Sequence, residues 1–458
     1  QLRMKRETVR SAMERIGGFR GIEILPCIGA DKPEHYRNKA VFQFANAEKT
    51  NKKNLRQVLS GYYEQKSHKL VPVETCMIQN EEAMTAKRIV AEWANLFDIR
   101  AFDEKQKSGT LRQLMVRRTE SGTMAAIVTT GALPHSDELV SMLRRGLPSL
   151  ASCIHGINRN PRDPGIGSKT ELLFGSAELA ETVCGLKFNV GAHSFLQVNP
   201  EQTQKLYLAA ANALNLTAND DVADVFCGIG TISLLLAQRA RSVLGIEAVP
   251  PAVKDARRNA KLNNIKNAEF ICENAETALP RLVAEGKRFS AILLDPPRRG
   301  AEKPALDAIV NSGAERIAYV SCNPATLARD CKILAAAGYS PMSVQPVDMF
   351  PMTHHVETVC LLSKLQSKEH IEIEVKMDEL DLTAAEKKAT YEEIKAYVLE
   401  HNGLKVSHLY IAQVKQKYGI IERENYNKPK SENAKQPQCP PDKENAIMEA
   451  LKHFGMIL

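Results

Sequence analysis

The sequence predicts an α/β protein. A Rossmann-like, doubly wound sheet of seven strands is preceded by an α+β region and followed by a small, mostly helical appendage. Three observations carry this. Over 186–365 short apolar runs alternate with amphipathic stretches at helical spacing. Over 1–185 strand-like runs and helices are mixed without that regularity, and over 366–458 the chain turns charged and helical.

In the first region, Lys39-Ala40-Val41-Phe42-Gln43-Phe44 and the runs 114–118 and 124–130 read as strands, and the Ala/Glu/Lys-rich stretch 82–97 as a helix. In the second, strands are expected over 221–226, 243–247, 268–272, 290–294, 316–320, 341–347 and 356–362, with helices such as 250–262 and 324–337 between them. In the third, Thr383 and Glu386 form a capping-box pair that starts a helix running to about 401. Gly403 breaks it, 406–419 reads as a second helix, a Pro/Asn-rich strip covers 427–442, and a short helix ends the chain. Helix, glycine and helix fit a helix-turn-helix or winged module. A helical docking appendage of unknown role is the plainer reading.

Composition narrows the function. With 44% hydrophobic and 25% charged residues the chain of 458 is globular, not disordered. No apolar run reaches membrane-spanning length. Residues 1–6 open on charges, unlike a secretory signal, and a start on Gln1 is expected of a fragment. The 10 cysteines form no CxxC pair, which predicts reduced thiols and a cytoplasmic protein. Residues 366–458 carry 14 of the 61 Lys+Arg and 16 of the 54 Asp+Glu, a net of −2, so the first 365 residues, with 47 Lys+Arg against 38 Asp+Glu, carry a net of +9. That excess suits a polyanionic partner.

Two constellations carry chemistry. Asp224-Val225-Phe226-Cys227-Gly228-Ile229-Gly230-Thr231 follows a strand and opens a helix. Glycines there let backbone approach a ligand, and Glu247 at the end of the next strand suits ribose hydroxyls. The third glycine of a dinucleotide fingerprint is absent, Ser233 standing in its place. S-adenosylmethionine, which carries adenosine but no phosphate, therefore fits better than a dinucleotide. Glu273-Asn274 lies where adenine contacts fall, or simply caps a helix.

The second constellation sits on neighbouring strand ends. Asp295-Pro296-Pro297-Arg298-Arg299-Gly300 is a stiffened loop over the crevice. Ser321-Cys322-Asn323-Pro324 places a thiol before a helix. A helix N-terminus favours a thiolate by roughly 0.3–1 kcal/mol. That lifts the expected thiolate share at neutral pH from about 3% to about 10%. Glu357, at the edge of the apolar run 359–362, is a base whose pKa burial would raise. The adjacent His354 and His355 lack further ligands at metal spacing. A thiol, a carboxylate and a sulfonium donor are the minimum for methylating carbon-5 of uracil. The thiolate adds at carbon-6, carbon-5 takes the methyl group, and a base removes the carbon-5 proton so that sulfur leaves.

These residues resemble the bacterial RNA 5-methyluridine (uracil-5) methyltransferases, above all those of 23S ribosomal RNA. The likeness runs from residue 1 to about 363 and is carried by Tyr36-Arg37-Asn38-Lys39, Ser194-Phe195-Leu196-Gln197-Val198-Asn199-Pro200, the glycine turn, the Asp-Pro-Pro loop, the Cys322 segment and His355-Val356-Glu357-Thr358. The resemblance implies a class I S-adenosylmethionine methyltransferase domain over 186–365, after a central RNA-binding region over 1–185. It implies Cys322 as nucleophile and Glu357 as base. Gln197, Phe226, Gly228, Glu247, Asn274 and Asp295 are implied as cofactor contacts. Thr231 stands where some members carry Asn. Many members hold an iron–sulfur cluster on three close cysteines and a fourth, which Cys76 in Glu74-Thr75-Cys76-Met77-Ile78 matches. The first three are missing, so an N-terminally truncated chain is expected, with a cluster only in a full-length form. The expected partner is RNA, the target uridine being swung from its stack, and the expected state a monomer without membrane contact. Three rivals stay open: methylation of nitrogen or of a small molecule, the same chemistry on transfer RNA, and non-catalytic RNA binding.

Overall fold

A computed structural model describes residues 1–50, 56–64, 67–160, 163, 165–364, 391–418, 439–454 and 456–457. Residues 1–367 form one compact unit and 368–458 another.

The first unit opens on helix α1 (Leu2–Ala12). A seven-stranded sheet follows, with β1 Lys39–Thr50, β2 Arg56–Tyr63, β3 Leu70–Pro72, β4 Leu111–Thr119, β5 Gly122–Thr129, β6 Leu150–Ile157 and β7 Lys169–Gly175 in the order β3-β2-β1-β4-β5-β6-β7. Helices α2 (Glu81–Leu96) and α3 (Ser136–Gly146) cover one face, where Trp93, Leu139 and Leu143 bury against Phe42 and Leu114. Asn80 starts α2 by accepting from the Ala83 N–H at 2.8 Å. A hairpin, β8 Glu178–Val183 and β9 Leu186–Gly191, links this sheet to the second.

The second sheet comprises β10 Asp221–Val225, β11 Ser242–Glu247, β12 Ala268–Cys272, β13 Ala291–Leu294, β14 Arg316–Ser321, β15 Tyr339–Val347 and β16 Glu357–Lys364. Its order is β12-β11-β10-β13-β14-β16-β15. Helices α4 (Pro200–Ala213), α5 (Thr231–Ala237) and α6 (Pro250–Leu262) bury one face, and α7 (Ala275–Ala284), α8 (Lys303–Asn311) and α9 (Pro324–Ala336) the other. The expected Rossmann-like domain is present, and strand order reverses between β10 and β13, which opens a crevice at their carboxyl ends. One feature departs from a fully parallel sheet: β16 runs antiparallel to both β14 and β15. A loop without a crossover helix joins β15 to β16, so the chain can only return as a hairpin.

The N-terminus also departs from the grouping of 1–185. Val9 and Met13 bury against Leu327 and Leu334 of α9, and Ile24 and Ile28 bridge to Val344 and Val347 beyond the sheet edge. Lys5 forms a buried ion pair with Asp348 and donates to the Phe350 carbonyl at 2.9 Å. The first 28 residues thus pin the loop that leads into Glu357.

In the second unit, α10 (Tyr391–Asn402), α11 (His408–Lys417) and α12 (Pro441–His453) share a core of Ile394, Val398, Ile411, Val414, Ile447 and Leu451. Gly403 ends α10 at φ 65°, and Ser407 caps α11. The terminal helix, at 13 residues, is longer than the short one expected. The Thr383–Glu386 capping pair lies outside the described residues. Among the described residues no helix is long and apolar enough to cross a membrane.

Candidate functional site

The crevice at the sheet's switch point is a cleft of about 960 Å³. Of the residues singled out from sequence, Phe226, Gly228, Glu247, Asn274 and Asp295 line it. Phe226 and Gly228 take positive φ angles of 69° and 56°, so the chain turns sharply after β10. A Cβ on Gly228 would meet nothing within 4 Å, so backbone there faces open space. The Glu247 carboxylate accepts from the Gly228 N–H at 3.0 Å and the Val249 N–H at 2.9 Å. That ties the glycine turn to the end of β11 and leaves carboxylate lone pairs for a ligand. Asn274 precedes α7 but makes no side-chain cap bond, so its amide is not spent on the helix.

Gln197 is the exception. It is buried and does not line the cleft; its main-chain carbonyl accepts from the Asn38 side-chain amide at 3.4 Å. Its neighbours hold the wall instead: His193, Ser194 and Phe195 line the cleft, with Phe195 66% exposed. Asp224 and Tyr207 also line the cleft, outside the expected set of contacts. Asp224 receives the Ser233 hydroxyl, and burial pushes its pKa up to about 7. Tyr207 of α4 reaches Thr231, also on the cleft wall, and burial pushes its hydroxyl up further. Asp224 was legible as an acid before a glycine turn; Tyr207 gives no signal beyond helical periodicity.

Cys322 and Glu357 stand at the neighbouring strand ends. Ser321, the last residue of β14, pairs with Thr358, so Cys322 just past β14 lies next to Glu357 at the start of β16, and the Glu357 charge acts on the thiol. Asp295 and Arg298 act electrostatically on both, which joins this pair to the cleft through Asp295. Glu357 is 3% exposed, and burial, reinforced by Asp295 and opposed by Arg298, raises its pKa to about 8. Burial and the Asp224 charge raise Asp295 to about 7. The thiol goes the opposite way from the sequence expectation. Cys322 is half-buried, and burial with the charge of Glu357 raises its pKa despite the helix that follows. A helix end supplies less than one pKa unit, and burial together with two nearby carboxylates outweighs it.

The loop that carries Asp295 is bolted to α9. The Asn323 amide and the Thr326 hydroxyl both donate to the Arg298 carbonyl, and Arg329 donates to the Arg299 carbonyl at 2.9 Å. Buried Asp330 accepts from the Ala301 N–H at 2.9 Å and the Tyr319 hydroxyl at 2.6 Å. Gly300 is required at this contact, since a Cβ would lie 2.5 Å from both Arg329 and Asp330 at a φ of 83°. Arg299 pairs with Glu302 at 3.1 Å, which leaves Arg298 as the cation nearest the thiol.

The metal readings find no such site. The His354 and His355 rings lie 4.1 Å apart and tilted by 38°, and Cys76 is half-exposed between β3 and α2. Among the described residues no three His, Cys, Asp or Glu side chains gather to hold an ion.

Comparison with known proteins bears on this geometry. Residues 169–365 match the family model described as tRNA (uracil-5-)-methyltransferase. An uncharacterized RNA methyltransferase of Halalkalibacterium halodurans is 41% identical over 365 residues, covering 79% of this chain and 78% of that one. Another from Caldanaerobacter subterraneus is 40% identical over 368 residues, covering 80% of each. Among solved structures, the Pyrococcus abyssi tRNA (uracil-54, C5)-methyltransferase with S-adenosyl-L-homocysteine is similar at a TM-score of 0.63 and 25% identity, covering 79% of this chain and 83% of that one.

Proposed function

We infer from a chain that belongs to the RNA uracil-5 methyltransferase family, and is an S-adenosylmethionine-dependent RNA methyltransferase, that its target is a uridine of 23S ribosomal RNA. The placement of Cys322 and Glu357 at the neighbouring ends of β14 and β16, beside a cleft that Asp295 shares, carries the mechanistic part of this reading. The target assignment rests on the resemblance of the ordered motifs to the ribosomal enzymes. Transfer RNA is the second reading, favoured by the description of the matching family model.

Phe226, Gly228, Glu247, Asn274 and Asp295 would hold S-adenosylmethionine, which supplies a methyl group carried on a sulfonium. The two carboxylates and the open backbone at Gly228 suit its hydroxyls and its cationic centre. Cys322 adds through sulfur to carbon-6 of the uracil, giving its proton to a carboxylate. After carbon-5 is methylated, Glu357 takes the carbon-5 proton, the carbon-5–carbon-6 double bond re-forms, and the sulfur–carbon bond breaks. Arg298 stabilises negative charge on the uracil oxygens while the adduct lasts.

Mass spectrometry of RNA from cells lacking the protein tests the target. A 5-methyluridine missing from 23S ribosomal RNA supports the reading; one missing only from transfer RNA moves the target there.

Two further outcomes are expected. Glu247→Ala should weaken S-adenosylhomocysteine binding about tenfold or more in calorimetry, because it frees the glycine turn and removes an acceptor pair. Undiminished affinity would take Glu247 out of the cofactor site. The second concerns pH. With a pKa of about 8, Glu357 is ionised in only about a tenth of free molecules at neutral pH. Its proton is lost as pH rises, so single-turnover elimination should accelerate from pH 6.5 to pH 8.5. A flat profile would mean that Glu357 does not limit that step.

A further inference from the structure

A polar stripe on the first sheet points at the cleft and has no role in the mechanism above. Lys39 of β1 and Arg117 of β4 are direct cross-strand partners, so their side chains leave the sheet on one face. Farther along that face Gln43 and Gln113 are also partners, and Gln113 donates to the Gly165 carbonyl at 3.0 Å. Arg117 donates to the Ser194 carbonyl. Gly165 and Ser194 both line the cleft.

The two cations are poorly compensated. Arg117 is 1% exposed, and its Nε and Nη1 have no hydrogen-bond partner. Burial, with each other's company for Lys39, pulls Lys39 down to about 8 and Arg117 to about 10. His193, on the cleft wall, is pulled down by burial and then by the Lys39 charge. Nearby acids are engaged elsewhere. Asp163 accepts from the Gly165 N–H at 2.8 Å within its own loop. Glu181 acts on Arg117 through its charge but forms no ion pair with it, accepting instead from the Glu120 N–H at 3.0 Å. Side-by-side cations without a paired carboxylate are costly unless an anion joins them.

We propose that Lys39, with Arg117 beneath it and His193 beside it, forms a phosphate-binding subsite for the RNA backbone next to the target uridine. The proposal rests on RNA as the substrate. Lys39 is partly exposed and makes the contact as a point charge, whereas Arg117 is enclosed and contributes field alone. Such a contact fixes the strand's position without reading its sequence.

The test is binding of a labelled hexauridylate to the full chain, followed by fluorescence anisotropy across a salt series. Each phosphate contact on a single strand contributes about −0.7 to the slope of log affinity against log salt. Lys39→Gln should weaken binding several-fold at low salt and make the slope shallower by about 0.7. Lys39→Arg should restore the slope, which a merely structural loss would not. A Lys39→Gln slope equal to that of the wild type overturns the subsite, as does salt-insensitive binding by the wild type. Methyl transfer to RNA, measured in parallel, keeps the two readings apart. A wild type with the slope but no transfer refutes the methyltransferase mechanism alone, and transfer with an unaltered Lys39→Gln slope refutes the subsite alone.

Discussion

Replacing Glu357 by Gln is expected to leave the protein covalently joined to its RNA. The substitution keeps the size of a side chain that is 3% exposed on β16, so the ladders to β14 and β15 survive. An amide cannot take the carbon-5 proton. Addition of sulfur and methylation do not need that base, whereas elimination does. Loss of a general base typically slows its step by about 10²–10⁴-fold, so the methylated adduct accumulates. Asp295 is the other carboxylate close enough to influence Glu357, and its pKa of about 7 suits it to any residual slow release. Denaturing gel electrophoresis with labelled RNA should show a protein–RNA band that forms only with S-adenosylmethionine present. A variant that frees methylated RNA at the normal rate removes Glu357 from the mechanism.

The second sheet was legible because its strands are short apolar runs cut by strong punctuation. Prolines at 250 and 324 open helices whose starts match the expectation, and 268–272 is the observed β12. Periodicity does not report strand direction, so the antiparallel β16 stayed hidden. The contribution of α1 was equally hidden, because the Lys5–Asp348 pair joins residues that sequence spacing cannot connect. At the site, residue types at strand ends were readable and their surroundings were not. Five of the six residues expected around the cofactor do line the cleft, while Gln197 is buried and is not among the lining residues. The electrostatics of Cys322 were misjudged for one reason. The sequence shows the helix that follows the thiol, but only folding buries the thiol and brings Glu357 and Asp295 near it.

That electrostatic setting shapes the other large effect, the replacement of Cys322 by Ala. Since burial and two carboxylates hold the thiol protonated, its reactivity does not come from a standing thiolate. It comes from an acceptor other than Glu357, which is kept free for the carbon-5 proton: Asp295, at about 7, would take the thiol proton as sulfur adds to carbon-6. Cys322→Ala should therefore abolish carbon-5 methylation by about 10⁴-fold or more, as loss of a covalent nucleophile commonly does. The residue is only half-buried, so the melting temperature should move little, and S-adenosylhomocysteine should bind as before because Cys322 does not line that cleft. The sharper readout is the double variant. If Glu357→Gln traps a bond to Cys322 sulfur, adding Cys322→Ala must erase the gel-stable band entirely. Persistence of the band would place the covalent link on another residue. Full turnover by Cys322→Ala alone would favour methylation of nitrogen through the Asp-Pro-Pro loop, a reaction that needs no sulfur nucleophile.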